Sequence, residues 1–105
     1  MPQPPVPRTG ADGEPVYDQE FFLALARCGK EVWNRWRDNN HGISVTFKEV
    51  DFHEMPNANS FAGFDFGDDA DFCGAQFGDS ADFASARFGD RCKFSGAIFG
   101  DSVNF

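Results

Sequence analysis

Two histidines, three cysteines and a recurring aspartate are the side chains of this chain best suited to chemistry. His41 and His53 stand twelve residues apart in loop-like sequence, and no cysteine lies at a ligand spacing from either. They read as solvated surface imidazoles and not as half of a zinc site. Cys28, Cys73 and Cys92 form an odd set without a CxxC pair, poor material for a disulfide framework or a metal cluster. Cys92 occupies a position filled elsewhere by alanine, so it reads as inert filler, and Cys73 follows Phe72 where the chain is expected to turn. A thiol with nothing to lower its pKa is not a nucleophile. The sequence holds no serine, histidine and aspartate set, no phosphate-cradling glycine loop and no carboxylate pair in a catalytic setting. The expectation is therefore a protein that is not an enzyme and carries no metal or cofactor.

The aspartates are the one chemical feature with a period. Asp68, Asp79, Asp90 and Asp101 recur every eleven residues. Placed on stacked strands, Asp68 with Asp90 and Asp79 with Asp101 form two short columns spaced by about 4.8 Å. The plainest reading is turn-forming aspartates that keep the surface polar; the functional one is an acidic interaction surface. Calcium held by the columns is weaker, because the nonapeptide calcium pattern is absent.

Charge narrows the partners. The chain carries a formal charge of -8. Nucleic acid and anionic membrane would repel it at long range, so neither is expected as a direct partner, and a protein with a basic surface fits better. The first residues hold only Arg8 as a base and no apolar run before Phe21, so they resemble neither a secretory signal nor an anchor. Cytoplasmic localisation follows from that and from the unpaired cysteines.

The elements that must position these residues fall into three stretches. With 105 residues, 41% of them hydrophobic, there is room for one small core. Phenylalanine supplies 14 residues and tyrosine one, so that core is expected to be built from phenylalanine. Residues 1–16 hold Pro2, Pro4, Pro5, Pro7 and Pro15 and little to bury, which predicts a disordered tail, with a proline-rich recognition ligand as the alternative. Residues 17–40 predict one amphipathic capping helix, with Phe22, Leu25, Trp33 and Trp36 on its apolar face, Asp18 as N-cap, and Asn39, Asn40 and Gly42 ending it. A helix of that length gains little from propensity alone, so its aromatic face needs the rest of the chain to cover.

Residues 41–105 carry the internal repeat. From Phe61 onward, Phe61, Phe66, Phe72, Phe77, Phe83, Phe88, Phe94, Phe99 and Phe105 follow one another at alternating steps of five and six, so the unit is eleven residues long. Two residues before these rings stand Ala70, Ala75, Ala81, Ala86, Cys92, Ala97 and Val103. A large and a small residue two apart share one face of an extended chain, and the glycines and aspartates after every second ring supply turn chemistry. Four short sides would close one turn of 22 residues, placing Phe61, Phe83 and Phe105 in one ladder. Residues 41 to about 60 hold two recognisable units, Val45-Thr46-Phe47 and Val50-Asp51-Phe52, before Met55 and Pro56 break the pattern, so this first turn is expected to be irregular. Phe64 is oversized for the small position before Phe66.

The units Ala70-Asp71-Phe72-Cys73-Gly74, Ala75-Gln76-Phe77-Gly78-Asp79, Ala81-Asp82-Phe83-Ala84-Ser85, Ala86-Arg87-Phe88-Gly89-Asp90 and Ala97-Ile98-Phe99-Gly100-Asp101 resemble the pentapeptide-repeat family. Gly29, Trp33-Asn34 and Trp36-Arg37 look like the leader ahead of the repeats in such proteins, so the resemblance covers the chain from about Gly29 to Phe105. It implies an all-β chain with an N-terminal helix: a right-handed quadrilateral β-helix, or β-solenoid, with the helix over its open end. The extra residue after each second unit, Ser80, Arg91 or Ser102, departs from the family pattern and is expected to bulge at a corner. The family implies a non-catalytic scaffold or protein-interaction module, and offers as an alternative an acidic mimic of DNA that inhibits a topoisomerase or another DNA-binding enzyme. Arg87, Arg91 and Lys93 interrupt the acidic surface, and two or three turns are short beside a DNA-binding track. The pattern reaches Phe105 on a core position, for which a fragment of a longer solenoid, end-to-end self-association through the C-terminal coil, and fraying compete, the fragment reading first.

Overall fold

The computed structural model describes residues 5–52, 61–79 and 81–105. His53, Met55, Pro56 and Ser80, on which some of the expectations fall, lie outside the described residues. The predicted tail is shaped from Pro5 onward: β1 (Arg8–Thr9) and β2 (Pro15–Val16) pair antiparallel. Asp12 accepts from the Glu14 backbone N–H, and Gly13 at φ 82° turns the chain between them. Arg8 then pairs with Asp18, tying this hairpin to the start of the helical region.

The single helix expected over 17–40 is two. α1 (Gln19–Arg27) begins at Asp18, whose carboxylate accepts from the Phe21 N–H at 3.0 Å. α2 (Lys30–Asn39) follows a break at Gly29, whose φ of 95° and ψ of 173° belong to a region only glycine enters without strain. The apolar spacing ran through this glycine without a change of period, so periodicity alone joined two helices that the backbone separates. Phe21, Phe22 and Leu25 of α1 and Val32, Trp33 and Trp36 of α2 are buried.

The β-solenoid expectation is corrected. Strands are two or three residues long and lie in three separate two-stranded sheets: β1 with β2, β3 (Asp65–Gly67) with β5 (Arg87–Phe88), and β4 (Gln76–Phe77) with β6 (Ile98–Phe99). Among the described residues no sheet closes and none has more than two strands, so the all-β label fails: this is an α+β arrangement. The physical reason lies at the corners. Gly63, Gly74, Ser85 and Gly96 sit eleven residues apart at φ 60–76°, and Asp69, Arg91 and Ser102 at φ 60–61°, so left-handed residues interrupt each side after a few positions. Two or three residues are all the strand that remains between them.

What holds these short pieces is a register. β3–β5 and β4–β6 are parallel; Asp65↔Arg87, Gln76↔Ile98 and Phe77↔Phe99 join residues 22 apart, as do the single bridges Asp71↔Lys93 and Asp82↔Asn104, while Gly67↔Phe88 spans 21. The earlier bridges Thr46↔Asp71 and Asp51↔Gln76 are offset by 25, so the first level is three residues longer. A bulge between Asp65 and Gly67 shifts the β3 register beside Phe64, the ring the repeat has no place for. Phe64 is buried and packs 5.2 Å from Trp33.

Candidate interaction surface

The rings form the inner frame. Phe61 stacks on Phe83 and Phe83 on Phe105, at centroid distances of 5.3 and 5.5 Å and near-parallel planes. Phe66 lies on Phe88 at 5.1 Å, Phe47 on Phe72 and Phe72 on Phe94 at 5.5 and 5.0 Å, and Phe52 on Phe77 and Phe77 on Phe99 at 5.0 and 4.9 Å. Neighbouring columns meet edge to face, as in the 5.2 Å pair of Phe77 and Phe83. Offset and T-shaped contacts suit the ring quadrupole, so each ring satisfies both geometries at once. Ala70, Ala75 and Ala81 are fully buried between them, whereas Ala86, Cys92, Ala97 and Val103 are partly buried against the same core. Burial fades along the stack, and Phe105 is 70% exposed.

The aspartates turn toward the backbone. Asp68 Oδ1 accepts from the Asp90 N–H and Asp79 Oδ1 from the Asp101 N–H, each at 2.8 Å and each across 22 residues. A Cβ added at Gly89 or Gly100 would overlap these carboxylates, which explains why glycine precedes the aspartate in the repeat. Asp90 and Asp101 are exposed. The two columns therefore clamp one level to the next, a function the period of eleven signalled without revealing.

A different set of acids faces cations. Residues 61–82 contain Asp65, Asp68, Asp69, Asp71, Asp79 and Asp82 and no lysine or arginine. One level on, Arg87 stands opposite Asp65, Lys93 opposite Asp71, and Arg91 binds Asp69 through Nε at 2.7 Å and Nη2 at 3.2 Å. The Arg91 fork holds the Asp69 carboxyl below its ordinary range, and Asp69 in turn raises Arg91. Asp71 is lowered first by the hydrogen bond it accepts from the Cys73 N–H, and further by Lys48 and Lys93.

The helices cover the opposite end with side chains that stand in for a strand. Asn34 Nδ2 donates to the Gly63 carbonyl at 2.9 Å while its Oδ1 accepts from the Asp65 N–H at 2.9 Å. Trp33 Nε1 donates to the Asp65 carbonyl at 2.8 Å, and Gln19 reaches the Lys48 carbonyl at 2.7 Å. Arg37, 3% exposed, donates through Nη1 to the Ile43 carbonyl and lies against Gly67, where a Cβ would overlap its guanidinium. Its Nε has no hydrogen-bond partner among the described residues, and burial lowers its pKa against the opposing pull of Asp65 and Asp68. Asn34 and Arg37 escaped the sequence reading as docking residues, because nothing in helical spacing distinguishes a polar side chain that faces solvent from one that caps a neighbouring edge. Gly67 gave no signal either, because it occupies the place that Gly78, Gly89 and Gly100 hold in the repeat.

The remaining candidates stay apart. His41 is exposed, and Cys28, Cys73 and Cys92 are each half-buried. Cys28 donates weakly to the Ala24 carbonyl and Cys92 to those of Gly67 and Gly89. Among the described residues no group of three His, Cys, Asp or Glu is placed to hold a metal ion, and no helix is long and apolar enough to cross a membrane. A cleft of about 470 Å³ between α2 and the repeat is lined by Lys30, Asn34, Asp38, Asp65 and Arg87 among others, with charges of both signs. Compared with family models, with curated proteins and with solved structures, the chain finds no match.

Proposed function

We propose that this chain is a non-catalytic scaffold or protein-interaction module acting in the cytoplasm, its partner a protein that reads the outer side of the repeat. One observation carries the proposal: the frame is constant and its outer positions vary. The residue between each small side chain and its phenylalanine points away from the core, and it is Asp71, Gln76, Asp82, Arg87, Lys93, Ile98 and Asn104 in turn. Gln76, Arg87, Lys93, Ile98 and Asn104 are exposed, while Phe72, Phe77 and Phe83 beside them are buried. Such an arrangement leaves outer positions that the ring frame does not constrain, and Ile98, 59% exposed, is the one best suited to anchor an apolar contact. The likeness of the repeat to the pentapeptide-repeat family adds support for a binding role at the level of sequence.

The test is photo-crosslinking from outer positions in extracts of the source cell. Crosslinkers at Gln76, Ile98 and Asn104 should trap one discrete partner, and Ile98→Glu should abolish that capture with the melting temperature held. Diffuse labelling, or capture indifferent to every outer substitution, counts against the proposal. DNA mimicry is the less supported reading, because Asp65, Asp69 and Asp71 face cations of the chain itself. Inhibition of topoisomerase supercoiling at stoichiometric protein would restore it.

A further inference from the structure

The phenylalanine ladder cannot by itself decide which unit lies on which. Its rings, its small residues and its Gly-Asp pairs all recur every eleven residues, whereas the levels are stacked every 22. If residues 94–104 slipped onto 61–71, Phe94 would meet Phe61, Phe99 would meet Phe66, and Asp101 would meet Asp68. Phenylalanine would still meet phenylalanine there, and one aspartate clamp would be re-formed. A repeat with degenerate packing specifies its register weakly unless something else breaks the tie.

Charge breaks it. In the observed register Asp65, Asp69 and Asp71 lie opposite Arg87, Arg91 and Lys93. In the slipped register the same acids would lie opposite Ile98, Ser102 and Asn104, with no cation among them. All three lysines and arginines of residues 61–105 fall within the one eleven-residue unit, 83–93, that stacks on the most acidic one. Lys48 extends the pattern to the first level, since it acts on Asp71 from one side as Lys93 does from the other. We propose that Asp65, Asp69 and Asp71, matched to Arg87, Arg91 and Lys93, are the register-setting residues of this chain, a conformational device that favours the 22-residue stacking over alternatives in which phenylalanine still meets phenylalanine.

Disulfide trapping reads the register directly. Residues 73 and 95 adjoin in the observed register, where the Gly74 N–H donates to the Ser95 carbonyl. In the slipped register residue 95 would instead face residue 62. Levels about 4.8 Å apart fall within disulfide reach. In the full chain with Cys28→Ala and Cys92→Ala, Ser95→Cys should crosslink to Cys73, and Ala62→Cys offers the competing partner. Reversing only the acids (Asp65→Arg, Asp69→Arg, Asp71→Lys) should cut the 73–95 crosslink by about tenfold at low salt, as expected for one ion pair and two facing charge positions turned from attraction to repulsion. Adding Arg87→Asp, Arg91→Asp and Lys93→Asp should restore it, and restoration after a half-reversed variant that fails to fold supports the proposal equally. An undiminished 73–95 crosslink in the half-reversed chain overturns the proposal, and so does failure of the doubly reversed chain to recover it.

Discussion

Asn34 engages one stretch of backbone with both ends of its amide, at Gly63 and Asp65, and so closes an edge that would otherwise need a strand. Removing one side chain then leaves a donor and an acceptor unsatisfied together. Asn34→Ala should cost about 1–3 kcal/mol in urea unfolding, the desolvation penalty of such orphaned groups. Gly67 is the second residue of this kind: at φ 72° and against the Arg37 guanidinium it tolerates no side chain. Gly67→Ala should cost about 1–3 kcal/mol from backbone strain alone, and combining it with Arg37→Ala should be less than additive because removing the guanidinium relieves the overlap with the new Cβ. The carboxylates set the pH response. Asp18 is lowered first by the Phe21 N–H and then by Arg8, and Asp69 and Asp71 are also held below their ordinary values. A depressed pKa contributes stability that is whole above the unfolded value of about 3.9 and disappears as pH falls through the folded one. The melting temperature should therefore be level from neutrality to about pH 5 and fall below about pH 4, with Asp69→Asn flattening part of the decline.

Between α1 and α2 the break at Gly29 is a matter of backbone, not of packing, since a Cβ there would meet nothing within 4 Å. Gly29→Ala thus isolates the conformational term, and should destabilise by about 1–3 kcal/mol without opening a cavity. At this scale the sequence was partly legible. The buried face Phe22, Leu25, Trp33 and Trp36 could be read from spacing, and so could the cap at Asp18. The two-helix division could not, because a glycine within an apolar period has the same spacing whether it continues the helix or ends it. The short strands were hidden for a related reason: left-handed corners at Asp69, Ser85, Arg91 and Ser102 are occupied by residues whose type does not announce a positive φ.

Across the whole molecule, burial runs from complete at Phe47, Phe72 and Phe77 to slight at Phe105. Phe72→Ala should cost about 3–5 kcal/mol, comparable to the entire stability of many small domains, whereas Phe105→Ala should cost under about 1 kcal/mol. Chemical denaturation of the two variants side by side gives the comparison. The ring spacing was visible in sequence because it recurs every eleven residues, and the extent of β-structure was overread because repetition of side chains says little about how many backbone positions stay extended between corners. The 25-residue offset of the first level was out of reach, as the irregular stretch that produces it breaks the very period used to find the rest.

Both tryptophans of the chain, Trp33 and Trp36, belong to α2, while its other aromatic rings are phenylalanines and a single tyrosine at position 17. Intrinsic emission excited at the indole band is thus a gauge fixed to one end of the molecule. Detachment of the helical cover would redden and dim it while the phenylalanine columns still stood, and loosening at the Phe105 end would pass unseen.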